Sequence, residues 1–110
     1  MAILAILTDL VFQSKIREAA AQAGVTVAWA SDASHPPAGP WDLILLDLDL
    51  IAASTADALA RLQRACPGVP IVGYCSHVAA QLQHDARAAG CQRVLPRLAL
   101  ARELARLLQR

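Results

Sequence analysis

The sequence predicts an α/β fold: a doubly wound, five-stranded parallel sheet in the order 2-1-3-4-5, with the second crossover helix short or missing. Three observations carry this. The runs Ala2 to Leu7 and Leu43 to Leu46 are almost purely apolar, as strands buried on both faces of a parallel sheet must be. Stretches with apolar residues at helical spacing alternate with the strand candidates, the rhythm of βαβ units with right-handed crossovers. Helix stops stand where that rhythm needs them, at Gly24, Pro67-Gly68 and Gly90.

The first strand runs from Ala2 to Leu7 and ends in Thr8-Asp9. In the helix that follows, Phe12, Ile16, Ala19, Ala20 and Ala23 share one face. Val25 to Trp29 alternates enough to be a strand nearer an edge. Ser31 to Pro40 holds three prolines and Gly39 without apolar periodicity, so a loop or a single turn is expected in place of a helix. His35 lies in it as an exposed loop residue, with Trp41 packed beside the prolines.

The central strand, Trp41-Asp42-Leu43-Ile44-Leu45-Leu46, runs into Asp47 and Asp49. Ser54-Thr55-Ala56-Asp57 resembles a capping box with Asp in place of Glu, and Thr55, Leu59, Leu62 and Cys66 form the buried face of the next helix. Pro70 to Tyr74 is the fourth strand, ending in Cys75-Ser76-His77, with Ser76 placed to cap a helix whose inner face is Ala79, Leu82, Ala86 and Ala89. Gln92 to Leu95 is the fifth strand and leads into Pro96-Arg97. The last helix buries Leu100, Leu104, Leu107 and Leu108 and turns Arg102, Arg106 and Arg110 outward.

The totals bound the function. The 110 residues make one domain, 1–110. A hydrophobic content of 56% excludes a disordered chain. No apolar run approaches the roughly 18 residues that span a bilayer, and Met1 to Leu7 has neither the basic lead-in nor the cleavage site of a signal peptide. A cytoplasmic protein without membrane contact is expected. Cys66, Cys75 and Cys91 are odd in number and lack CxxC spacing, against a disulfide framework or a zinc site; Cys75 reads as a small buried hydrophobe. Residues 1–60 carry seven acids against two bases, and residues 61–110 eight bases against two acids. With one Phe, one Tyr and two Trp there is no stacking platform for bases, so a nucleic-acid partner is not expected.

In the predicted sheet the switch point lies between strands one and three, where Asp9 and Asp47 meet. The strand ends deliver Thr8 and Asp9, Asp47 and Asp49, Cys75 and Ser76, and Arg97 to one crevice. Paired carboxylates suit a hard divalent ion such as Mg²⁺. An Asp beside such an ion can act as a nucleophile on a phosphoryl group, while a hydroxyl and a cation hold its oxygens. Asp49, two residues beyond Asp47, points to the same side in an extended chain and would add a third oxygen ligand. His77 and His84, near the start and on the outer face of a helix, read as structural.

On these residues the chain resembles the receiver domains of two-component response regulators, a flavodoxin-like fold. The clearest pieces are Asp42-Leu43-Ile44-Leu45-Leu46-Asp47, Ala88-Ala89-Gly90 and Val94-Leu95-Pro96-Arg97. The resemblance implies that Asp47 accepts a phosphoryl group from a histidine kinase or phosphotransfer protein. It implies that Asp9 and Asp47 hold Mg²⁺, where the spacing of Asp49 would let it supply the charge that Thr8 lacks, that Cys75 or Ser76 fills the hydroxyl position, and that Arg97 stands for the lysine after strand five. It also implies a signalling module that is not an enzyme, docking to a downstream protein or forming a homodimer through the surface from strand four to the last helix. With no output domain after Arg110, docking would be its whole action.

The departures define an alternative. Thr8 replaces one metal-binding acid, Arg97 the lysine, Val94 a switch aromatic and Ile51 a proline, which suits a pseudo-receiver that docks without being phosphorylated. A cofactor-binding or enzymatic domain on the same fold is the third class, disfavoured because no glycine-rich phosphate loop follows strand one.

Overall fold

In the computed structural model, residues 1–75 and 80–109 are described. The strands are β1 (Ala2–Ile6), β2 (Thr26–Ala30), β3 (Leu43–Asp47), β4 (Ile71–Cys75) and β5 (Arg93–Pro96), and the helices α1 (Leu10–Ala23), α2 (Thr55–Ala65), α3 (Ala80–Ala88) and α4 (Arg97–Leu107). All four strand pairings are parallel and the order is β2-β1-β3-β4-β5, as the sequence predicts. β2, β4 and β5 each begin and end one residue later than the sequence pattern suggests.

Alternation along the strands splits the core into two layers. Ile3, Leu43, Leu45, Val72 and Tyr74 face α1 and α4, while Leu4, Ile44, Leu46, Ile71 and Val94 face α2 and α3. Leu43 to Leu46 are all 0% exposed, so β3 is covered from both sides. Phe12, Ile16 and Ala20 of α1 and Leu100, Leu104 and Leu107 of α4 are buried against the first layer, and Thr55, Leu59 and Leu62 of α2 against the second. Ala86 of α3 is buried and Leu82 and Ala89 are half-buried; Ala79, with Ser76 and His77, lies outside the described residues, as does Arg110.

No helix forms between β2 and β3 among the described residues, in line with the prolines there. The segment is instead tied by local bonds: the Trp41 indole donates to the Pro37 carbonyl at 3.0 Å, and the Ser34 N–H donates to Asp32 at 2.8 Å. Buried Ala33 and half-buried Trp41 lie on the second layer where a crossover helix would pack. The edge strand β2 keeps Trp29 half-buried, with the Arg17 guanidinium 5.0 Å from its ring centroid. Gly24 ends α1 in the left-handed conformation, φ 70°, as a helix stop.

Two expectations are corrected between β3 and α2. A 3₁₀ helix, Leu48–Ser54, follows β3 directly, so the chain past Asp47 is not extended. The capping box does not form: Ser54 makes no side-chain cap bond, and the Thr55 hydroxyl turns back to donate to the Ile51 carbonyl at 3.2 Å. The preceding 3₁₀ turn already supplies the acceptor that the hydroxyl needs.

Gly73 lets that 3₁₀ helix lie down on the sheet. A Cβ built there would stand 2.8–2.9 Å from Cγ and both Cδ atoms of Leu48, itself 0% exposed. Gly73→Ala is therefore expected to lower unfolding stability by about 1–3 kcal/mol through overpacking, read by denaturant melting; an unchanged midpoint would show that Leu48 moves aside freely.

Candidate functional site

The carboxyl ends of β1, β3, β4 and β5 open on one edge of the sheet. Asp9 is the N-cap of α1, where a carboxylate both satisfies a free helix N–H and meets the positive end of the helix dipole. Its Oδ1 accepts from the Phe12 N–H at 3.1 Å, and its Oδ2 pairs with Nη2 of Arg97. Arg97 is the first residue of α4, whose N-cap, Pro96, offers no side-chain cap and whose first turn has no acid. A cation at a helix start is unfavourably placed, and Asp9 compensates it from the start of the neighbouring helix.

The pair rests on an aromatic stack. The Arg97 guanidinium lies 5.6 Å from the centroid of Phe12, and Phe12 stacks on Tyr74 at 4.8 Å with an interplanar angle of 27°. These are the only Phe and the only Tyr of the chain. Tyr74 stands beside Asp47 in the parallel register of β3 and β4, 2% exposed, with its hydroxyl buried and without a hydrogen-bond partner among the described residues. Burial, and then the negative charges of Asp47 and Asp49, push that phenol well above its ordinary range, so it stays neutral.

Asp47 closes β3 half-buried. Its Oδ1 accepts from the Asp49 N–H at 3.0 Å, the turn bond that starts the 3₁₀ helix. Burial pushes its carboxyl above the ordinary range; the Asp49 N–H works in the opposite direction, and the Asp49 carboxylate adds to the rise. Asp49 is thus near Asp47, but brought there by a turn and not by extended spacing.

The structure pairs Asp9 with Arg97 and keeps Asp49 beside Asp47. Among the described residues it forms no group of three His, Cys, Asp or Glu placed to hold a metal ion. Thr8 is exposed. β4 ends at Cys75, which is 0% exposed and receives a 3.6 Å bond from the Gln83 amide, so a thiol closes the strand. Ser76 lies outside the described residues. His35 and His84 are exposed. The sequence reading missed Phe12 and Tyr74 as neighbours of the site; their rarity in an aromatic-poor chain was the available signal.

Because its carboxylate is disfavoured in the fold, Asp47 contributes stability below its unfolded value near 3.8 that is lost as pH rises through the raised folded value. Asp47→Asn is therefore expected to be more stable than the parent at pH 7, by less than about 1 kcal/mol given partial solvent screening. The difference should vanish in acid; a variant less stable at neutral pH would contradict it. The thiols give a second check. Burial raises the Cys66 thiol and pushes Cys91 up to about 11, leaving about one part in ten thousand of Cys91 as thiolate at pH 7. Site-resolved mass spectrometry should find Cys91 alkylated at least about a hundredfold slower in the native protein than in urea; equal rates would place it in an open segment.

No protein-family model and no curated protein matches the chain. Solved structures do. A response regulator receiver domain protein from Methanospirillum hungatei superposes with a TM-score of 0.78 at 16% identity, covering 98% of this chain and 90% of its own. A two-component response regulator from Clostridium difficile gives 0.77 at 18% identity, covering 98% and 94%. The receiver domain of a sensor histidine kinase from Pseudomonas aeruginosa, with magnesium coordinated in its active-site cleft, gives 0.76 at 22% identity, covering 98% and 93%. Along nearly its whole length, the chain has the fold of response-regulator receiver domains.

Proposed function

We propose that the chain is a receiver-like signalling module of the two-component kind that acts in the cytoplasm by docking to a protein partner, without phosphorylation of Asp47. It is a binding module, not an enzyme, and takes neither nucleic acid nor membrane as partner. The supporting observation is the engagement of Asp9: one oxygen is committed to the start of α1 and the other to Arg97. Mg²⁺ asks for a near-octahedral shell of oxygens. Here the neutral Thr8 stands at the first position of the acidic pair after β1, Asp9 is already neutralised, and Asp47 holds the Asp49 N–H. The residues present do not fit the ion.

A second reading keeps Asp47 as phosphoacceptor, served by a histidine kinase or phosphotransfer protein, with Ser76 and Arg97 responding. It is favoured by the half-buried position of Asp47 at the carboxyl end of the central strand. In either reading the exposed Arg102 and Arg106 of α4 form part of the docking surface for a target or a second copy.

The test is an NMR titration with Mg²⁺ followed by beryllofluoride, repeated on Asp47→Asn. The expected outcome is no response that depends on Asp47. Shifts running from Asp9 and Asp47 to α4, and lost in the variant, would establish the phosphoacceptor instead.

A further inference from the structure

We propose that Arg97 is the resident cation of the crevice: its guanidinium takes the place of a divalent ion at Asp9 and fastens the starts of α1 and α4 to each other. The inference deepens the phosphorylation-independent reading, and its test can fail separately from it.

Four observations converge. Both oxygens of the Asp9 carboxylate are engaged, Oδ1 by the Phe12 N–H and Oδ2 by Nη2 of Arg97. The guanidinium is held on a second side by the face of Phe12, 5.6 Å from the ring centroid, the geometry of a cation–π contact. Phe12 is in turn fixed by its stack on Tyr74, beside Asp47 in the sheet. Thr8 contributes a hydroxyl where a second carboxylate would have to pay for two positive charges. At Asp9 itself one monovalent cation faces one carboxylate, a balanced pair.

A guanidinium cannot lose its charge to make room, and its planar fork matches a carboxylate better than a compact ammonium does. A metal ion entering the crevice would meet Coulomb repulsion from Arg97 at close range, and its best ligand would already be occupied. The clamp joins two helices that pack on the same layer of the sheet, so their relative position is held by the chain's own charges and needs no bound ion.

The experiment is an NMR titration of the full chain with MgCl₂ and then with Mn²⁺, which broadens amides near a bound ion, on the parent protein and on Arg97→Gln. The parent should show no selective shift or broadening at Asp9 and Asp47, and Arg97→Gln should gain both. Selective broadening in the parent overturns the proposal, and so does a variant that stays as silent as the parent. If Arg97→Gln fails to fold, the parent titration still decides, because a saturable Mn²⁺ effect at Asp9 would sink the idea alone. An Asp47-dependent beryllofluoride response in EDTA would defeat the phosphorylation-independent reading and leave this proposal standing. Mn²⁺ broadening without any beryllofluoride response would do the reverse.

Discussion

The double burial of β3 is the constraint on which the rest of the structure depends. Leu43 to Leu46 are fully enclosed, which requires a helical layer on each side and a neighbouring strand at each edge. Two layers on a parallel sheet force crossovers, and right-handed crossovers fix which helices share a layer. Placing β1 and β3 side by side then puts the residues after both strands at the same edge. The crevice is thus a consequence of burying four apolar side chains from both directions.

That logic explains what was legible. Strand order and helix faces followed from apolar runs and helical spacing, since both record burial directly. Even the missing crossover helix could be read, because three prolines and no periodicity leave a helix nothing to form from. The 3₁₀ helix could not. Leu48-Asp49-Leu50 alternates as a strand would, whereas in the fold the Asp49 N–H donates to Asp47 at the start of the 3₁₀ helix. The Ser54 cap failed for a related reason: a helix entered from a preceding 3₁₀ turn presents a different set of free backbone groups from one entered from a coil.

At the site, the sequence showed which charges would arrive but not which would pair. Asp9 and Arg97 are neighbours only because β1 and β5 deliver the starts of α1 and α4 to the same edge. The stacking of the sole Phe on the sole Tyr was equally hidden, because Phe12 reads as a helix core residue and Tyr74 as a strand residue. Each assignment is correct, since both are buried. What spacing alone could not show is that their common layer carries an arginine at its open end.

The energetics of the crevice then follow from who neutralises whom. Asp9 lies between two helix starts and an arginine, a thoroughly positive surrounding, whereas Asp47 has a second carboxylate beside it and, among the described residues, no ion pair to offset partial burial. Two acids only one sheet neighbour apart therefore sit in opposite electrostatic conditions. An ion shared between them would have to take Asp9 from a partner with matched geometry in order to relieve Asp47. Asp9 is thus neutralised within the chain, while Asp47 at the end of the central strand holds the Asp49 N–H beside a like charge.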